Sequence, residues 1–141
     1  RDEAMGLREN LLSIPLDQRL SYDAQQDLFF VNFEGLSIRA ADEIEQIREH
    51  VEACLQPVGH RVAAIVNYDN FSITPELLEP YAEMVRGLVQ RHYSAVTRYT
   101  TNTFLRARLG DAFAHRELTP NLYPDPDSAL AQLDALGQDM D

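Results

Sequence analysis

Apolar positions along this chain switch between two spacings, and the switches divide it into strands and helices. Leu20–Tyr22 and Leu28–Phe33, separated by polar Asp23–Asp27, read as a β-hairpin. Phe29, Val31 and Phe33 share one face of the second strand, while Leu28 and Phe30 occupy the other, which suits a strand well inside a sheet. Val62-Ala63-Ala64-Ile65-Val66 has no polar face at all and predicts a strand covered by helices on both sides. Ala95–Tyr99 and Asn121–Tyr123 complete the strand set.

Between the strands the period lengthens. Ile44, Ile47, Val51 and Leu55 fall at helical spacing, with Asp42 and Glu45 placed as a capping box and Pro57 and Gly59 as the stop. A polar loop, residues 67–73, leads to Thr74-Pro75, the signature of an N-cap with proline in the first helical position. Pro80 predicts a kink or restart, beyond which Tyr81, Val85, Leu88, Val89 and His92 form the buried stripe. A third helix begins near Asn102 or Thr103, buries Leu105, Leu109, Ala112 and Phe113, and ends by Glu117. A fourth opens at Asp125-Pro126, buries Leu130, Leu133 and Leu136, and closes at Gly137. The expectation is an α/β domain: a mixed sheet starting with a β-hairpin, with four helices packed on it. Residues 1–18 read as a linker or lead-in segment, in which Arg8–Leu12 or Ile14–Leu16 could pack as a turn of helix. Residues 19–137 read as the single domain and 138–141 as an acidic tail.

A chain of 141 residues with 45% hydrophobic content needs no disulfide or metal to hold a core. Cys54 is the only cysteine, so no internal disulfide can form, in keeping with a reducing cytoplasm. No apolar run approaches the ~20 residues of a membrane span, and no signal peptide is visible. The net charge of −11 opposes nucleic acid and anionic membranes. All 12 basic residues are arginine, which excludes lysine-based Schiff-base or P-loop chemistry.

Catalytic motifs are missing as well. His50, His60, His92 and His115 are scattered without HxxxH or HExxH spacing, so no shared metal is expected. Cys54 reads as a buried structural thiol, and Glu34-Gly35 as a turn rather than a catalytic carboxylate. Two strand-to-helix junctions remain as candidate ligand rims. Ser72 and Thr74 precede one helix. Thr100, Thr101 and Asn102 precede another, with Arg98 and Arg106 close in sequence, so hydroxyls, a helix N-terminus and two guanidiniums could converge on a small anion. Capping is the competing explanation at both rims. No cofactor is implied.

Segments Leu28–Arg39, Asp42–Leu55, Arg61–Phe71 and Thr74–His92 together resemble the STAS, or SpoIIAA-like, fold. Signalling proteins of that fold carry a phosphorylatable serine before the second helix. Here only the location of Ser72 or Thr74 corresponds, because the D-S-x-G-type motif is missing. A second likeness covers nearly the whole chain. Arg1–Leu7 is similar to the junction after the catalytic part of fused bacterial acyl-CoA:acetate/3-ketoacid CoA-transferases, and Asp27–Gly35 and Tyr99–Leu105 to the C-terminal extension some of them carry. That resemblance implies a non-catalytic, cytoplasmic domain with an assembly or regulatory role. Its partners would be the catalytic portion of the same polypeptide, whose reactive glutamate lies upstream of Arg1, and further copies of itself. The alternative from another class is a stand-alone module that senses a small anion or lipid.

Overall fold

The computed structural model describes residues 15–139. After a single helical turn α1 (Leu16–Arg19) come β1 (Leu20–Asp23) and β2 (Leu28–Asn32), then short β3 (Ser37–Ile38) and helix α2 (Ala41–Leu55). Next follow β4 (Val62–Asn67), β5 (Ser72–Ile73), α3 (Leu78–His92) and β6 (Tyr93–Tyr99). The chain finishes with α4 (Thr103–His115), β7 (Leu122–Tyr123) and α5 (Pro126–Asp139). Five strands form a mixed sheet in the order β1-β2-β4-β6-β7, antiparallel at the hairpin and parallel elsewhere. β3 and β5 make a separate parallel pair in register Ser37↔Ser72 and Ile38↔Ile73.

The α/β class and the opening hairpin expected from the sequence are present, with five helices rather than four. The addition is α1, whose Arg19 is buried and donates from Nη1 to the carbonyls of Asn32 (3.0 Å) and Glu34 (2.8 Å). The proposed helical turn around Arg8–Leu12 lies outside the described residues.

β4 shows how the sheet is sandwiched. Val62, Ala64 and Val66 point into the main core with the buried stripes of α2, α3 and α4, whereas Ala63 and Ile65 point into a second cluster under α5. The alternation is the pleat itself, so a strand apolar at every position needs cover on both sides. In the main core Phe33, Tyr68, Phe71, Tyr81 and Phe113 form a continuous run of ring contacts, the tightest being Tyr68–Phe71 at 4.9 Å, edge-on.

Several expected helix boundaries shift, each for a local reason. α2 starts at Ala41, so Asp42 lies inside the first turn instead of capping it. The Glu43 carboxylate, not that of Glu45, accepts from the N–H groups of Arg39 (2.7 Å) and Ala40 (3.0 Å). Pro75–Leu77 is a 3₁₀ turn, and the Thr74 hydroxyl reaches the Ile38 carbonyl at 3.4 Å rather than capping it. Because α3 begins at Leu78, Pro80 falls in the first turn, where no intrahelical N–H bond is required, and the helix runs on uninterrupted to His92. α3 buries Tyr81, Ala82, Val85 and Leu88, leaving Val89 and His92 half-buried. α5 runs through Gly137 to Asp139, since one glycine costs a helix only about 1 kcal/mol. It buries Ala129 and Leu133, while Leu130 is 38% exposed.

Candidate functional site

The two sequence-predicted rims face each other across one cleft. One wall is built from the loop after β4. The Asn67 Oδ1 accepts from the Asp69 N–H (2.9 Å), Phe71 N–H closes a turn on the Tyr68 carbonyl (3.1 Å), and Asn70 takes the left-handed conformation asparagine tolerates (φ 56°). The chain then joins β3 through the N–H of Ser72 to Leu36 O (2.9 Å) and of Thr74 to Ile38 O (3.0 Å).

The opposite wall is the start of α4. Asn102 is its N-cap, with Oδ1 accepting from Leu105 N–H at 3.0 Å. The Asp69 carboxylate ties the walls together: its Oδ1 accepts from both the N–H (2.7 Å) and the hydroxyl (3.1 Å) of Thr101. Between the walls lies a cleft of about 180 Å³, floored by Phe71 and Leu105, flanked by Ile73 and Leu78, and edged by Phe104 and Arg108.

The polar side chains singled out from sequence are brought near this cleft only in part, and each that is has a protein partner. Ser72 Oγ pairs with Ser37 Oγ at 2.9 Å, Thr74 with Ile38 O, and Thr101 with Asp69. Arg106 Nη1 donates to the Thr100 carbonyl (2.6 Å), tightening the turn it follows. Arg98 departs from the expectation altogether. It is 1% exposed, points into the main core, and donates to the carbonyls of Pro120 (2.7 Å) and Thr119 (3.4 Å). Its strand position places it on the α3 side of the sheet, so it does not reach a ligand at the rim beside Arg106. Hydroxyls, helix N-terminus and two guanidiniums therefore do not converge on one point.

Phe104 and Arg108 are the residues that sequence reasoning passed over. Phe104 is 83% exposed, the most exposed large hydrophobic residue among those described. It sits one position before Leu105 on α4, off the buried Leu105–Leu109–Ala112 stripe, and that offset was the available signal. The Arg108 side chain makes no hydrogen bond or ion pair among the described residues.

Chemistry elsewhere is dispersed. His60 Nε2 meets Asp27 Oδ1 at 2.8 Å, His92 Nε2 meets Glu52 at 3.3 Å, and His115 lies 3.7 Å from Glu79, on separate parts of the surface. Among the described residues no three His, Cys, Asp or Glu side chains gather as metal ligands. Cys54 is half-buried, not fully buried as expected, and desolvation followed by the charge of Asp17 raises its thiol pKa. Glu34 Oε1 accepts from Asn67 Nδ2 at 3.1 Å on an exposed edge. No described helix is long and apolar enough to cross a membrane. No family model matches the chain, and neither a curated protein nor a solved structure matches it.

Proposed function

We propose that this chain is a docking domain that works through the cleft between β5 and α4, serving the assembly or regulation of a larger enzyme. The observation that carries the reading is Phe104, held on a helix and 83% exposed at the edge of an apolar cleft. A lone exposed phenylalanine is ordinary; one that continues an apolar floor made by Phe71, Ile73, Leu78 and Leu105 forms a contact surface. Ser72, Thr101 and Asn102 around it are each held by a protein partner, which gives the cleft firm walls.

The parent we favour is a fused bacterial CoA-transferase, with this chain as its STAS-like C-terminal extension. What supports this is sequence likeness: the two segments that carry it, Asp27–Gly35 and Tyr99–Leu105, build β2 and the β6–α4 junction, and the second includes Phe104 itself. In that setting the bond-making glutamate belongs to the catalytic portion, and this domain supplies contact. The rival reading, a sensor of small anions, loses a cation to the core with Arg98.

The test is Phe104→Asp in the full chain joined to its catalytic portion, with sedimentation velocity and CoA transfer as readouts. The expected result is a smaller assembly or altered activity at unchanged thermal stability. Unchanged size and activity, in this variant and on deletion of Arg1–Asp141, would overturn the reading.

A further inference from the structure

The β3–β5 pair is an unfinished sheet. In its parallel register the N–H groups of Ser72 and Thr74 bond to Leu36 and Ile38, so those residues turn their peptide groups toward β3. Ile73 lies between them and turns its own N–H and C=O the other way. Neither group has a partner among the described residues. β5 is therefore an open edge, one residue long in hydrogen-bonding terms, and Ser72 and Ile73 border the cleft. Open edges accept further strands.

Three features converge there. The edge offers one donor and one acceptor at Ile73. The adjoining cleft of about 180 Å³ has room for one large apolar side chain against Phe104, Leu78 and Leu105. Arg108 stands at its border with no counter-ion, on a helix whose first turn holds no acidic residue. On a chain of net charge −11 its guanidinium is a cation at the cleft border with no carboxylate bound to it, so it can pair with an incoming one.

From this we infer that the cleft binds an extended peptide segment by strand addition: its backbone pairs with Ile73, one apolar side chain fills the cleft beside Phe104, and a carboxylate meets Arg108. Strand addition draws affinity from main-chain bonds and specificity from side-chain pockets, and both parts are in place. A helical ligand would leave Ile73 unpaired, and a cleft of this size would take only one of its turns. The inference rests on the docking reading above and names the chemistry of the occupant.

The probe is an acetylated, amidated hexapeptide alternating threonine with leucine and ending in aspartate, titrated into isotope-labelled full chain and followed by amide NMR. The expected result is saturable binding that moves the Ile73 amide and the resonances of Phe104 and Leu105. Methylating the leucine amides should weaken binding about tenfold, the loss of one backbone hydrogen bond with its partner left buried. Arg108→Glu should reverse the preference towards a peptide ending in lysine. Absence of saturable shifts, shifts that avoid Ile73, or equal binding of the methylated peptide would overturn strand addition. If Phe104→Asp still disrupts assembly while the peptide fails, docking stands without strand addition. If assembly is untouched, docking itself falls.

Discussion

The guanidinium carbon of Arg98 lies 4.5 Å from the centroid of the Phe113 ring, so a strand and a helix meet through a cation over an aromatic face inside the core. No carboxylate pairs with Arg98 among the described residues; its donors go to Pro120 and Thr119 carbonyls and its plane to Phe113. Such a site depends on a flat, forked cation. Arg98→Lys, which keeps the charge and loses the fork, is expected to cost about 2–4 kcal/mol, as is Arg98→Ala. Urea unfolding of both variants measures this, and a lysine variant of wild-type stability would contradict the account.

The phenols of Tyr68, Tyr81 and Tyr93 are raised above their ordinary value, burial being the largest cause in each. For Tyr81 the neighbouring Tyr68 adds to it, and Arg98 opposes the rise in all three. Above pH ~10 the unfolded chain releases tyrosine protons that the folded chain keeps, so stability is full below that pH and falls as pH climbs through the raised values. Each ring contributes a slope of about 1.4 kcal/mol per pH unit in that window. Denaturant midpoints measured across the alkaline range, alongside tyrosinate absorbance, should show unfolding and ionisation together. Early ionisation of all six tyrosines in a still-folded chain would exclude it.

Asp27 titrates below the ordinary carboxylate range, held down first by the Tyr22 hydroxyl and then by the His60 imidazole. The sign is that of a depressed acid: its contribution is present above ~pH 4 and lost as pH falls through the lowered value. Asp27 and His60 are exposed and Tyr22 half-buried, so the effect is best read at the residue itself. Carboxyl NMR of Tyr22→Phe is expected to return the Asp27 midpoint towards normal, and His60→Ala should do so by less.

Phe104 and Leu109 share α4 yet differ in environment, at 83% and 0% exposure. Phe104→Ser should leave stability within about 0.5 kcal/mol, whereas Leu109→Ala should lose about 2–5 kcal/mol. Thermal melts of the pair decide whether the phenylalanine is kept for the fold or for a partner.

The cap and staple of the cleft are also measurable. Asn102→Ala is expected to cost about 1 kcal/mol, the usual worth of an N-cap. Asp69→Ala removes the acceptor of both Thr101 bonds and should increase amide exchange at Thr101 before it alters global stability. Equal protection in wild type and variant would show that the walls hold without it.

Periodicity revealed what depends on burial over several residues. The all-apolar run at Val62–Val66 and the alternation of Phe29, Val31 and Phe33 can only be reconciled with a two-sided, central sheet, and β4 and β2 lie there. Periodicity says little about elements two residues long. β3 and β5 are fixed by tertiary pairing between segments 35 positions apart, and no local pattern at Ser37 or Ser72 announces it. Arg98 was misplaced because a charged residue near a strand end is ordinarily at the rim. Its burial depends on the Thr119–Pro120 carbonyls, which the sequence does not place beside it. Helix starts drifted because competing caps, such as Glu43 against Asp42, differ by less than local patterning resolves.

The rear of the sheet has a different kind of dependence. Leu28 and Ile65 owe their shelter there to α5, through Ala129 and Leu133, with Thr97 Oγ1 donating to the Ala129 carbonyl at 2.9 Å. A gene trimmed ahead of Pro126 would therefore yield a polypeptide with one oily side bared to water, prone to clump during expression and purification. Cutting after Leu136 would keep that seal, which sets the practical boundary for producing the domain by itself.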